Sequence, residues 1–316
     1  MKKRNLLSIV LGLALMMGAF FTSCSDDDGP AKPTIELFIT TDGFTIDIAA
    51  EAENVTTWAC EYGDGTVSET AGSHTHTYAT GGDFTIKCTV TGDGGPTTTT
   101  ELVTIATIEE LLTAHTWVMS NAGTGNGLGF HITSDLVVDQ AATDVLATID
   151  GLQGDDDVPY NFPDEYEDEY TFNADKSYAV DYKNNNALSS WVYSPQDKIV
   201  GTCFYVGMFA ISQDPLQGAT WALHENQNLV LKTVYDESKE GTSGGVAETV
   251  TFESVDYVTF TNGGFLGIKD YTSTAIIRSI TADELAVTVF FHSYNDGTLG
   301  TEEPSFLLNL TFVPKQ

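Results

Sequence analysis

The chain has 316 residues, 13 Lys and Arg against 45 Asp and Glu, a formal net charge of -32 and 11% aromatic residues. A surface this acidic repels phosphate backbones and anionic polysaccharides, which excludes nucleic acid as a partner and leaves neutral glycans and divalent cations open. The length suits two domains, and short Thr-, Val-, Ile- and Tyr-rich runs between Gly, Asn and Asp turns predict an all-β protein.

Lys2, Lys3 and Arg4 precede the apolar stretch Leu6 to Phe21, the pattern of a signal peptide over residues 1–23. The stretch is short for a membrane span, which takes about 20 apolar residues. It ends at Thr22-Ser23-Cys24, which resembles a bacterial lipobox; the resemblance implies cleavage before Cys24 and diacylation of its thiol. Two or more acyl chains hold a protein on a bilayer where a single chain lets it go. An ordinary secretory signal with an incidental cysteine is the other reading. Residues 24–33, with Asp26, Asp27, Asp28, Gly29, Pro30 and Pro33, read as a solvated tether. The run Ser25-Asp26-Asp27-Asp28 also resembles the acidic export signal of surface lipoproteins from polysaccharide-utilisation loci. That resemblance implies a lipid-anchored protein on the outer membrane, facing the cell exterior.

Residues 34–104 alternate as strands. Ile35, Leu37 and Ile39, then Phe44, Ile46 and Ile48, line one face. Cys60-Glu61-Tyr62-Gly63-Asp64-Gly65, His76-Thr77-Tyr78, Gly81-Gly82 and the strand Phe84 to Val90 follow. Together they resemble the hallmark of the PKD domain, an immunoglobulin-like β-sandwich, with Cys60 where the family usually has Trp and Gly81 where it often has Pro. In that fold Cys60 and Cys88 both face the core from neighbouring strands. A disulfide there would contribute roughly 3 kcal/mol in an oxidising compartment, and two buried thiols are the alternative. His74 and His76 resemble the start of a metal site, against a packing role for His76 that the family implies. No nucleophile and base stand at readable spacing, and the resemblance implies a spacer or protein-interaction module that lifts the next domain from the membrane.

The segment 105–316 opens on a capping box, Thr107 with Glu110, and the apolar face Ile108, Leu111 and Leu112, which predict a helix to Ala114. Strands follow at Tyr170–Phe172 and Tyr178–Tyr182, around the turn at 173–176. Trp221–Leu223 and Leu229–Thr233 then flank a turn at Glu225–Asn228. Later strands are Val250–Phe252, Thr274–Ile280, Glu284–His292 and Phe306–Val313. No βαβ alternation occurs, so the expectation is an antiparallel β-sandwich or a lipocalin-like barrel. The order of "HTWV", "DEYEDEYTFNADKSYAVDY", "ATWAL", "LVLKT", "GGFLG" and "FLLNLTFVPK" resembles the module that follows PKD repeats in glycan-binding surface lipoproteins. The family's Trp pair and His-Gly motif are replaced here by Asn121 to Gly127.

Sugar rings stack their C–H faces on exposed aromatic side chains while amides and carboxylates orient the hydroxyls. Tyr160, Phe162 and Tyr166 in one irregular segment, and Trp191 and Tyr193 beside Asn184, Asn185 and Asn186 in another, are the candidate glycan contacts; packing of loops over the sheet is the alternative for each ring. Trp117 and Trp221 are assigned to the core. The acidic cluster Asp155, Asp156, Asp157, Asp164, Glu165, Glu167, Asp168 and Glu169 admits a glycosidase pair, a calcium cage or a solvated loop. Cys203 reads as a small core residue. The expected function is capture of a neutral polysaccharide or oligosaccharide for a neighbouring outer-membrane transporter. No catalytic residue is assigned, and no cofactor apart from the calcium question. A glycoside hydrolase or lyase, and a structural or adhesive lipoprotein, are the alternatives.

Overall fold

The computed structural model describes residues 29–120, 126–141, 167–190, 193, 196–203, 208–235, 246–292 and 302–316. The side chains of Gln140, Ala141, Asn184, Gln196 and residues 201–203 are outside that description. The protein is almost entirely β, in several antiparallel sheets.

The first domain packs two sheets. One orders β1 (Thr34–Asp42), β2 (Thr45–Glu53) and β5 (His74–Thr77); the other orders β4 (Val67–Ser68), β3 (Thr57–Glu61), β6 (Gly82–Gly92) and β7 (Gly95–Ile105) as β4-β3-β6-β7. Period-two patterning puts Leu37, Ile46, Ile48, Ile86, Val103 and Ile105 between the sheets. Cys60 and Cys88 sit opposite each other on β3 and β6, fully buried and joined by a disulfide.

Helix α1 (Ile108–Ala114) follows. Glu110 N–H donates to the Thr107 hydroxyl at 3.2 Å, and the Glu110 carboxylate accepts the Thr107 N–H at 2.8 Å, so each end of the box satisfies the other. Trp117, fully buried on β8 (Thr116–Ser120), donates its indole N–H to the Leu112 carbonyl at 2.9 Å and ties the helix to the sheet.

The second domain is built on a ten-stranded antiparallel sheet. Its path runs β12 (Tyr178–Asp181), β11 (Glu169–Phe172), β8, β20 (Phe306–Pro314), β19 (Leu285–Phe291), β18 (Thr274–Ile280), β17 (Val246–Phe260) and β16 (Trp221–Tyr235). The short β9 (Gly127–Gly129) also pairs with β20 and carries β10 (Gln140–Ala141). The sheet curls around Trp117, Tyr170, Phe172, Trp221, Leu310 and Phe312 but is not a closed barrel. Its edges, β12 and β16, meet at the single bridge Ser177 to Thr220. The chain between them forms instead a three-stranded sheet, β13 (Asn186–Ser190), β15 (Met208–Ser212) and β14 (Ile199–Cys203), whose Leu188, Phe209 and Ile211 enter the same core.

Part of the outer face is buried too. Phe252, Ile276, Phe290 and Leu307 pack with Ile132 from the 130–138 segment. All seven residues of β19 are therefore buried. The expected turn at Glu225–Asn228 is instead a bulge within one 15-residue strand. The partner strand supplies the reason: Asn226 N–H donates to Asp256 Oδ1 at 2.8 Å, Ser254 N–H donates to Asn228 Oδ1 at 3.0 Å, and Asn226 and Ser254 take positive φ.

Phe44 joins the two domains, packing against both hydrophobic cores from the β1–β2 turn. Gly43 beside it has φ +56°, and a Cβ there would lie 3.1 Å from the Ile280 carbonyl oxygen, so the turn needs glycine for both conformation and approach.

Candidate functional site

The segment between β17 and β18 reads Thr261 to Ser273 and carries "GGFLGIKDY". Phe265, Leu266 and Ile268 turn inward to the core, and the buried Tyr178 hydroxyl donates to the Phe265 carbonyl at 2.6 Å. Gly267 has φ +76°, and a Cβ on it would come within 2.3 Å of Leu310 Cδ1, so a side chain here would be strained and would push Leu310 aside. The chain then lies along β13 as a parallel addition: Lys269 N–H donates to the Leu188 carbonyl at 2.8 Å and Ser190 N–H donates to the Lys269 carbonyl at 3.1 Å.

This docking sets four side chains side by side. Lys269 is only 9% exposed; its ammonium donates to Gln213 Oε1 and lies 5.5 Å from the Tyr193 ring centroid and 5.9 Å from that of Phe265. Tyr193 donates its N–H to Ser190 Oγ at 3.3 Å and meets Tyr271 edge to face at 5.0 Å. Tyr271 is 45% exposed and offers its ring to solvent. Behind them Asp270 is buried, accepting the His292 N–H at 3.0 Å.

Burial dominates the electrostatics. It holds the Lys269 ammonium below the usual lysine range, with Lys198 adding like-charge repulsion. Burial raises the Asp270 carboxyl, opposed by hydrogen bonds from Ser190 and the backbone N–H groups of His292, Thr272 and Tyr271. It also raises the Tyr193 phenol, with Tyr271 and Asp270 contributing. The arrangement combines aromatic surface, a cationic donor and an amide, the groups that hold a polyhydroxylated ring. Hydrolysis of a glycosidic bond would need two carboxylates facing each other across it, at about 5 to 9.5 Å. Among the described residues of this cluster the buried carboxylate is Asp270, which accepts from Ser190 and from the His292 N–H.

Of the glycan contacts expected from sequence, Tyr193 is in this cluster, whereas Tyr160, Phe162, Tyr166 and Trp191 lie outside the described residues, as does Cys24. The acidic segment is described only at its end. There Asp168 accepts the Lys183 N–H at 2.8 Å, and Glu169 pairs with Lys183 at 2.9 Å and Lys315 at 2.7 Å. Among the described residues no three His, Cys, Asp or Glu side chains gather as a metal cage. Lys269, Gln213 and Tyr271 were not among the sequence candidates; the glycine-rich run ahead of Lys269-Asp270-Tyr271 was the available signal.

The first domain has its own polar cluster. His76 stacks on Tyr62 at 3.9 Å and donates to Asp64 Oδ2 at 2.8 Å, while Thr66 donates its hydroxyl to Asp64 Oδ1 at 2.6 Å. Burial opposes the Asp64 charge, but the hydrogen bonds from Thr66 and His76 outweigh it and bring its pKa down to about 2. The Thr66 hydroxyl gives its proton to the carboxylate and also lies 3.4 Å from His76 Nε2, so the cluster locks the Gly63-Asp64-Gly65 turn.

Residues 33–107 match the family model described as the PKD domain, so the first domain is a PKD domain. Two solved structures are similar to that part of the chain. The PKD1 domain of Vibrio anguillarum Epp is 24% identical, covering 25% of this chain and 99% of its own, with a TM-score of 0.24. The PKD1 domain of the Vibrio cholerae metalloprotease PrtV is 20% identical, covering 24% and 100%, with a TM-score of 0.23. No curated protein sequence matches the chain.

Proposed function

We propose that the protein is a lipid-anchored surface protein that captures a neutral polysaccharide through its second domain and passes it to an outer-membrane transporter, without cleaving it. The observation that carries the reading is the exposed Tyr271 ring, braced by Tyr193 beside the buried ammonium of Lys269. An open aromatic face next to a desolvated donor is costly for a surface that only needs to be soluble, and it suits the C–H face and hydroxyls of a pyranose. The net charge of -32 favours uncharged chains over uronates and sulfated glycans. The apolar start, Cys24 and the aspartates after it support export and anchoring.

The test is affinity electrophoresis of residues 25–316 through gels containing neutral polysaccharides, with Tyr271→Ala run alongside. Retardation by one glycan class, lost in the variant and unaccompanied by new reducing ends, is expected. Free migration of the unmodified protein in every gel would overturn the reading in favour of a structural or adhesive role.

A further inference from the structure

The PKD domain places an aromatic ring on the wrong side of its sheet. On β1 the core-facing residues are Ile35, Leu37 and Ile39, and Phe38 between them points outward with 51% of its surface exposed. Directly opposite it on β2 stands Ala49, whose single methyl leaves the face of the ring open. Two residues further along, about 6.8 Å at the rise of a strand, Thr40, Asp47 and Thr75 form one row across β1, β2 and β5. All three are exposed, and among the described residues none uses its side-chain oxygen in a hydrogen bond to the rest of the chain. Ser73 completes a shallow, open groove of about 350 Å³ between ring and row.

We propose that this groove is a second glycan platform, taking an uncharged pyranose unit with its C–H face on Phe38 and its hydroxyls on Asp47, Thr40 and Thr75. The outward positions of these strands carry Glu36, Asp42, Glu51 and Glu53 and no Lys or Arg, so an anionic chain is repelled. The proposal rests on the glycan-capture reading and makes the PKD domain a contributor to it rather than a spacer. Two modest sites held on one molecule raise the retention of a polymer well above that of either, and leave the affinity for a short oligosaccharide almost unchanged.

Phe38→Ala, Asp47→Ala and Tyr271→Ala are compared with the unmodified 25–316 chain, on polysaccharide gels and by calorimetry with short oligosaccharides of the same sugar. Phe38→Ala should weaken polymer retention at least tenfold and Asp47→Ala severalfold. Both should leave the melting temperature unchanged, because Phe38 is outside the core. If Phe38→Ala migrates as the unmodified chain while Tyr271→Ala loses retention, the platform is wrong and the Tyr271 site stands. The converse keeps the platform and removes the Tyr271 site. No retardation of the unmodified chain by any neutral glycan overturns both, and Phe38-dependent binding of a lysine-rich peptide in place of glycan would reassign the groove to a basic partner.

Discussion

Replacing both Cys60 and Cys88 with alanine removes the cross-strand disulfide at the centre of the PKD sandwich. The bond closes a loop of 28 residues, and the chain-entropy relation assigns such a loop about 3.5 kcal/mol at 25 °C. A domain of roughly 75 residues loses about 4 to 8 °C of melting temperature per kcal/mol, so an independently melting PKD domain should drop by about 20 °C. If the Phe44 contact makes both domains melt as one, the same energy spreads over a much larger unfolding entropy and the drop shrinks to about 6 °C. Differential scanning calorimetry of protein refolded in air, with and without reductant, separates these cases. Reductant should reproduce the double variant in the unmodified chain and have no effect on the variant itself. A variant melting within 2 °C of the parent, or a parent indifferent to reductant, would refute the assignment of this bond as a main support of the domain.

Other substitutions probe the remaining features. Lys269→Met should weaken glycan retention yet hold or raise the melting temperature, because it removes a desolvated ammonium whose hydrogen-bond partner is an amide rather than a carboxylate; a clear loss of stability would mean the ammonium supports the fold. Asp64 has a folded pKa of about 2 against an ordinary 3.8, so its stabilisation is complete above the ordinary value and lost as pH falls through about 2. The stability gap between the parent and Asp64→Asn, followed by urea titration, should therefore be wide at pH 7 and close towards pH 2. Thr107→Ala should cost about 1 kcal/mol through loss of the helix N-cap, read as a lower urea midpoint. Phe44→Ala should cost about 2 kcal/mol and split calorimetric unfolding into two transitions; a single sharp transition would show that other contacts couple the domains.

Short-range signals were readable where the chemistry is local. The PKD turn, with Gly63 and Gly65 at positive φ, and the Thr107 capping box depend on residues a few positions apart. The burial of Trp117 and Trp221 follows from strand alternation. Glu225 to Asn228 misled because its polar run is stabilised by Asp256 and Ser254, some 30 residues away, which turn an apparent loop into a bulge. The choice between sandwich and barrel was illegible for a similar reason: whether β12 and β16 close depends on the strands that lie between them in sequence, and β13, β14 and β15 form a sheet of their own. The Lys269 site was hidden because it exists only once a loop lies parallel against β13, a pairing that leaves no periodicity in either segment.

Phe44 has one last consequence, for how the molecule works at a distance. A ring shared by two cores acts as a splint, so the junction between the domains resists bending more than a free linker would. A polysaccharide captured as proposed would meet both faces across that junction, like a thread laid across two pegs.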